Sequence, residues 1–213
     1  GEGLEGTLNS YITYDGQSVE GYDIRMGKGK KVTISTAYST WNYIQSEVWT
    51  DENGAQLATG GTIVYTLSDE SDHTLTFTLT NQSGVKTVRT FNIIYDENDY
   101  SYRLADAECE NVSAWTADVS GFQLMTSNVQ GLSQPFIERW RVATQDDTDC
   151  WGMETFNIGQ QLTGLAAGKY TLSASVIATQ QTFAEGDDKA KGYVQHVYLY
   201  ANGVNEAVSS PNN

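Results

Sequence analysis

The clearest pattern in the chain is strict alternation of apolar and polar positions. In HTLTFTLTN (73–81), Leu75, Phe77 and Leu79 fall on one face and Thr74, Thr76, Thr78 and Thr80 on the other. Side chains of an extended strand point to opposite faces with a period of two, so this run predicts a half-buried strand. KKVTISTAY (30–38), YIQSEVWT (43–50), GGTIVYTLS (60–68) and VKTVRTFNIIY (85–95) repeat the pattern, separated by DENG, SDESD and NQSG, which carry turn chemistry. IGQQLTGLAAGKYTLSASV (158–176) reads as two alternating segments around a small-residue turn. In it Tyr170, Leu172, Ala174 and Val176 are expected to fill a core. No long window repeats apolar residues at helical spacing. The pattern predicts an all-β protein of short strands, organised as β-sandwiches.

Composition agrees. Thirteen Tyr, five Trp and only two Pro favour strands, and 39% hydrophobic against 18% charged residues suits a packed core. The 213 residues suffice for two domains, and the polar joint DENDYSY (96–102) places them at 1–97 and 98–213. A net charge of −15 excludes nucleic acid as a partner, because phosphate recognition needs clustered Lys and Arg. No apolar run reaches the roughly 20 residues of a membrane-spanning helix. The chain opens GEGLEG, without the leader of a secreted precursor. The expectation is a mature, exported chain from which a signal or lipid anchor has been removed.

In the first segment a Trp-bearing strand, the DENG hairpin and then HTLTFTLTNQSGVKTVRTFNIIY resemble the end of a polycystic-kidney-disease-type (PKD) immunoglobulin-like domain. The resemblance covers residues 30–95, with 5–29 matching loosely. It implies an immunoglobulin-like sandwich with Trp49 in its core, acting as a spacer in secreted or surface proteins. In the second segment AECENVSAWT, FIERW, IGQQLTGLAAGKYTLSA and VYLYANG occur in the order seen in galactose-binding-like jelly rolls of carbohydrate-binding modules. They are most similar to versions in surface proteins of glycan-degrading bacteria. That family continues past the last of these segments, whereas this chain ends AVSSPNN. The expectation is either a truncated C-terminus or sheets that close differently.

Candidate chemistry follows from these placements. No serine-nucleophile elbow, zinc-type HExxH or phosphate-cradling loop is present. Glu138 and Glu154 form a conceivable glycosidase pair, but such pairs are common in acidic chains, and no enzymatic activity is expected. ERWRV puts Arg139 and Arg141 on one strand face and Trp140 on the other, with Trp151 after an acidic loop and Tyr200 on the last strand. Sugars stack their C–H faces on exposed aromatics while planar polar groups take their hydroxyls. Arg139, Trp140, Arg141, Trp151 and Tyr200 are therefore the candidate glycan site, weighed against the reading that Trp140 packs in the core and Arg139 and Arg141 are solvated or paired with acids. Trp115 is expected in the core, and Trp41 between strands.

Calcium prefers six to eight oxygen ligands. The jelly-roll resemblance implies a structural calcium held by Glu108 or Glu110, and QDDTDC adds Asp146, Asp147 and Asp149. The opposing reading for these acids is a solvated loop. Cys109 and Cys150 either form a disulfide, closing a loop of about 40 residues and adding on the order of 3–4 kcal/mol, or stay as thiols. The function expected is noncatalytic glycan binding in carbohydrate acquisition. The competing expectation is a structural or protein-interaction module, meeting other surface proteins, with no sugar site.

Overall fold

The computed structural model describes residues 7–39, 43–126, 135–139, 156–176 and 197–208. Every regular element among them is a strand or a short 3-10 turn, and no helix is long and apolar enough to cross a membrane. The chain divides into two compact units, 1–108 and 109–213.

The first unit contains β1 (Thr7–Tyr14), β2 (Gln17–Val19), β3 (Asp23–Met26), β4 (Lys31–Ser39), β5 (Ile44–Thr50), β6 (Gln56–Thr59), β7 (Thr62–Thr66), β8 (His73–Asn81) and β9 (Lys86–Tyr95). They form a four-stranded sheet, β2-β1-β4-β7, and a five-stranded sheet, β3-β9-β8-β5-β6. All ladders in both are antiparallel except β3 with β9. The N-terminal hairpin lies in one sheet, and the chain then crosses to the edge of the other. Two sheets in this order form an immunoglobulin-like β-sandwich.

The alternating positions meet between the sheets. Leu8 and Ile12 of β1, Val32 and Ile34 of β4 and Ile63 of β7 face Trp49, Leu75, Phe77, Leu79, Phe91 and Ile93, all buried. Trp49 sits opposite Phe77 in the β5–β8 ladder, with ring centroids 4.8 Å apart, and its ring lies 5.6 Å from Phe91. Its indole Nε1 donates to the Gly60 carbonyl at 3.0 Å, so the polar edge of the ring is satisfied too. The β8–β9 turn is held by Asn81, whose Oδ1 accepts from the amides of Ser83 and Val85, each at 3.0 Å. Asn81 also opens an NQS glycosylation sequon, yet it is 1% exposed, so this amide is closed to modification in the folded chain.

Two features differ from the sequence expectation. Residues 5–29 match the family only loosely, yet they supply three strands. The irregular MGKGKK stretch has a structural cause: Gly27 is buried against the Asp99 carboxylate, which stands where a Cβ would go. Tyr14 Oη accepts from the Gly27 amide at 3.2 Å and donates to Asp99 at 3.4 Å. Burial, helped by the charges of Asp15 and Asp99, pushes the Tyr14 pKa up to about 12. Lys30, 7% exposed, pairs with Asp15 at 2.5 Å and Glu108 at 3.2 Å. These contacts draw residues 99–108 onto the first unit. The division therefore falls after Glu108, where the composition placed it at 97/98.

The second unit holds three two-stranded pairs among the described residues. β10 (Thr116–Ala117) pairs β13 (Ile158–Gly159), β11 (Phe122–Met125) pairs β12 (Phe136–Arg139), and β14 (Tyr198–Ala201) pairs β15 (Val204–Ala207). The Asn202–Gly203 turn has positive φ at both residues, +46° and +81°, as a two-residue hairpin requires. Trp115, expected in a core, is half-buried. The expected strand over 170–176 does not form: Tyr170, Leu172 and Val176 are 42–43% exposed and no ladder pairs this run among the described residues. Tyr170 instead folds back on its own turn, donating from Oη to the Ala166 carbonyl at 2.9 Å. Alternation supplies a two-faced strand, but it cannot supply a partner.

Candidate functional site

Of the expected glycan site, Arg139 and Tyr200 lie within the described residues, while Trp140, Arg141 and Trp151 lie outside them. Arg139, on β12, donates from Nε to the Ser120 carbonyl at 3.0 Å. Its guanidinium covers the rings of Phe156 and Phe122, 5.0 and 5.9 Å from their centroids, and those rings meet edge-on at 5.4 Å. The Arg139 side chain thus bonds and stacks within its own unit. Tyr200 is 49% exposed and rests on Gly159, where a Cβ would stand 3.0 Å from the phenol oxygen. Tyr198, on the same face of the hairpin, is also 49% exposed.

The calcium candidates divide similarly. Glu108 is occupied by Lys30, Glu110 is half-buried, and Asp146, Asp147 and Asp149 lie outside the described residues, as do Cys150, Glu154 and Trp41. Among the described residues no group of three or more His, Cys, Asp or Glu side chains is arranged to hold a metal ion. Glu138 accepts from Gln123 Nε2 across the β11–β12 ladder at 2.7 Å.

A site unmarked by any motif lies on the first unit. After β6 the chain turns through Gly60–Gly61 out of the five-stranded sheet and into β7, the edge of the other sheet. Between the two strands runs an open groove of about 500 Å³. Leu57 and Ala58 of β6, Val64 and Tyr65 of β7, and Glu52 and His73 are among its lining residues.

The ladder geometry decides which backbone groups face this groove. Leu67 N–H donates to the Lys30 carbonyl at 3.1 Å, and Thr36 N–H donates to the Gly61 carbonyl at 2.8 Å. Both pairs continue the β4–β7 register. Hydrogen-bonded pairs alternate in an antiparallel ladder, so Ile63 and Tyr65 also turn their amide and carbonyl groups toward β4. Thr62, Val64 and Thr66 turn theirs away, and among the described residues no strand meets them.

Glu52 and His73 belong to a charge cluster. His73 Nδ1 donates to Glu52 Oε1 at 2.6 Å and Nε2 to Asp69 Oδ1 at 2.7 Å, while Ser71 Oγ donates to the same Asp69 oxygen at 2.9 Å. The bond to Asp69, with the bond and charge of Glu52, raises the His73 pKa against the opposing effect of burial. The bond from His73 lowers the Asp69 pKa. Glu52 is lowered by its own backbone amide first and by His73 second. Burial, with the charges of Glu52, Asp69 and Asp51, raises the Tyr65 phenol. His73 thus holds a carboxylate at each ring nitrogen. It clamps the β5–β6 turn to the β7–β8 turn.

This clamp has a defined pH window. A raised histidine stabilises the fold fully below its unfolded value of about 6.5 and loses that contribution as pH rises through the folded value. The lowered carboxylates contribute above about pH 4 and lose it as pH falls through their folded values. The melting-temperature penalty of His73→Gln is expected to be largest between the carboxylate range and about pH 6.5 and to fade as pH rises through the raised His73 value. A penalty that is flat across that range in thermal melts contradicts the ion-pair assignment.

No protein-family model matches the chain, and none of the curated proteins matches it. Among solved structures it is similar to a quinonprotein alcohol dehydrogenase-like protein from Bacteroides thetaiotaomicron, at 15% identity and a TM-score of 0.32. That match covers 41% of this chain and 20% of the other, so the chain spans about a fifth of that protein's length. It is also similar to fibronectin(III)-like modules of Clostridium thermocellum CbhA, at 8% identity and a TM-score of 0.31, over 40% of this chain and 96% of that one. The PmoD soluble domain from a Methylocystis species aligns at 10% identity and a TM-score of 0.31, over 42% and 90%.

Proposed function

We propose that this chain is a noncatalytic structural and protein-interaction module of an exported protein, in which the first unit is a rigid spacer that offers one strand edge to another chain. The observation that carries this reading is the outward edge of β7, where Thr62, Val64 and Thr66 present backbone donors and acceptors beside an open groove. Exposed ladder edges are templates for pairing with another chain. The exported setting is supported by the resemblance of residues 30–95 and of the second segment to modules of surface proteins.

Glycan binding is the second reading, and the half-exposed Tyr198 and Tyr200 favour it. A glycan array and a polysaccharide affinity gel, run on the intact chain and on Tyr200→Ala, separate the two. The interaction-module reading expects no retained glycan. Saturable glycan binding lost in a folded Tyr200→Ala variant would replace it with the sugar-binding reading.

A further inference from the structure

Resting on that reading, we infer that the β7 edge is a strand-addition site for an extended partner segment carrying Lys or Arg at the end beside Thr66. Three observations define the occupant. Pairing along Thr62–Thr66 offers about 17 Å of ladder at about 3.4 Å per residue, the length of an ordinary strand. The incoming strand's side chains alternate, so one set enters the groove against Leu57 and Ala58 and needs to be small or aliphatic.

Charge selects the end. Asp51, Glu52 and His73 line this end of the groove, and Asp69 is bonded to the far nitrogen of His73, while Glu70 pairs with Lys28 at 3.4 Å and Lys31 stands opposite Thr66 in the ladder. This surplus of carboxylates favours a cationic residue there. It disfavours a second copy of this chain, whose net charge is also −15. The chain already shows the matching pattern on the other side of β7. Its own β4 places Lys31 opposite Thr66, followed by the alternating Val32, Thr33, Ile34 and Ser35.

The test uses the full chain and a labelled peptide of sequence KKVTIST (residues 30–36) as the probe. A second peptide of the same sequence is N-methylated at the alternate amides that would face β7, and a third replaces both lysines by glutamate. Fluorescence anisotropy is expected to show saturable binding of the first, weakened at least about tenfold by N-methylation through loss of the ladder bonds. Binding is also expected to weaken in the glutamate peptide and with added salt. Val64→Pro removes one outward donor at a position where an edge strand tolerates proline, and is expected to weaken binding in a chain whose melt is otherwise little changed. The N-methylated peptide leaves the protein untouched, so the test stands even where Val64→Pro disturbs folding.

Equal binding of the N-methylated peptide overturns strand addition, as does no binding of KKVTIST at all. Equal binding of the glutamate peptide overturns the charge assignment. Glycan binding lost in Tyr200→Ala overturns the interaction-module reading, and equal binding of the glutamate peptide overturns the charge assignment alone, so the two failures are distinguishable.

Discussion

Replacing Trp49 by alanine is expected to cost the first unit about 3–5 kcal/mol, the range for emptying a fully buried large aromatic site. The ring is 0% exposed, packs on Phe77 of the adjacent β8 and Phe91 of β9 one strand further in the same sheet, and donates to Gly60 at the start of the crossing into β7. Its removal opens a cavity at the centre of the sandwich and also leaves the Gly60 carbonyl without its indole donor. Urea unfolding of the full chain, followed through the methyl signals of Ile24, Ile34 and Ile93, measures the loss. A cost below about 1 kcal/mol contradicts a closed core around this residue.

Lys30→Met is the second large effect, at about 2–3 kcal/mol. Methionine keeps the apolar stem against the Tyr14 ring, whose centroid lies 5.7 Å from the ammonium, but removes the charge between Asp15 and Glu108. Breaking a buried pair by deleting one partner costs about 3–5 kcal/mol, and the half-exposed Asp15 lowers that figure because it regains water. Burial alone pulls the Lys30 pKa down. The bond to Asp15 and the charge of Glu108 more than reverse this, holding it at about 12. The raised value means the contribution is present throughout neutral pH and is lost only above about pH 10.4. Because Glu108 anchors the 99–108 segment, trypsin cleavage after Arg103 is expected to accelerate in the variant. Lys30→Met with Glu108→Gln is expected to cost less than the sum of the two single changes. Strict additivity, or unchanged cleavage, contradicts the anchoring role.

The central strands were legible because their chemistry is local. β8 alternates Leu75, Phe77 and Leu79 with threonines, and β9 places Phe91 and Ile93 in register with it, so period and burial coincide. β1 was harder to read. Only Leu8 and Ile12 are buried along it, with Ser10 between them, and its register is set by the β4 ladder rather than by its own sequence. The close approach of Asp99 to Gly27 joins residues far apart in the chain, and no local pattern announces it.

The site divides the same way. Arg139 and Tyr200 are candidates by residue type alone, and type does not say whether a guanidinium faces solvent or covers Phe122 and Phe156. DENG and SDESD were legible as turns, while their meeting across His73 was not. An open edge is a property of strand order. β7 resembles any other strand until the fold shows that β4 lies on one side of it and no described strand on the other.

The most direct measurement is amide hydrogen exchange of the free chain at residues 62–66. The amides of Ile63 and Tyr65, bonded toward β4, are expected to exchange slowly, and those of Thr62, Val64 and Thr66 quickly, in strict alternation. Slow exchange at Val64 and Thr66 in the free chain would show that the edge is already paired, and would contradict the account.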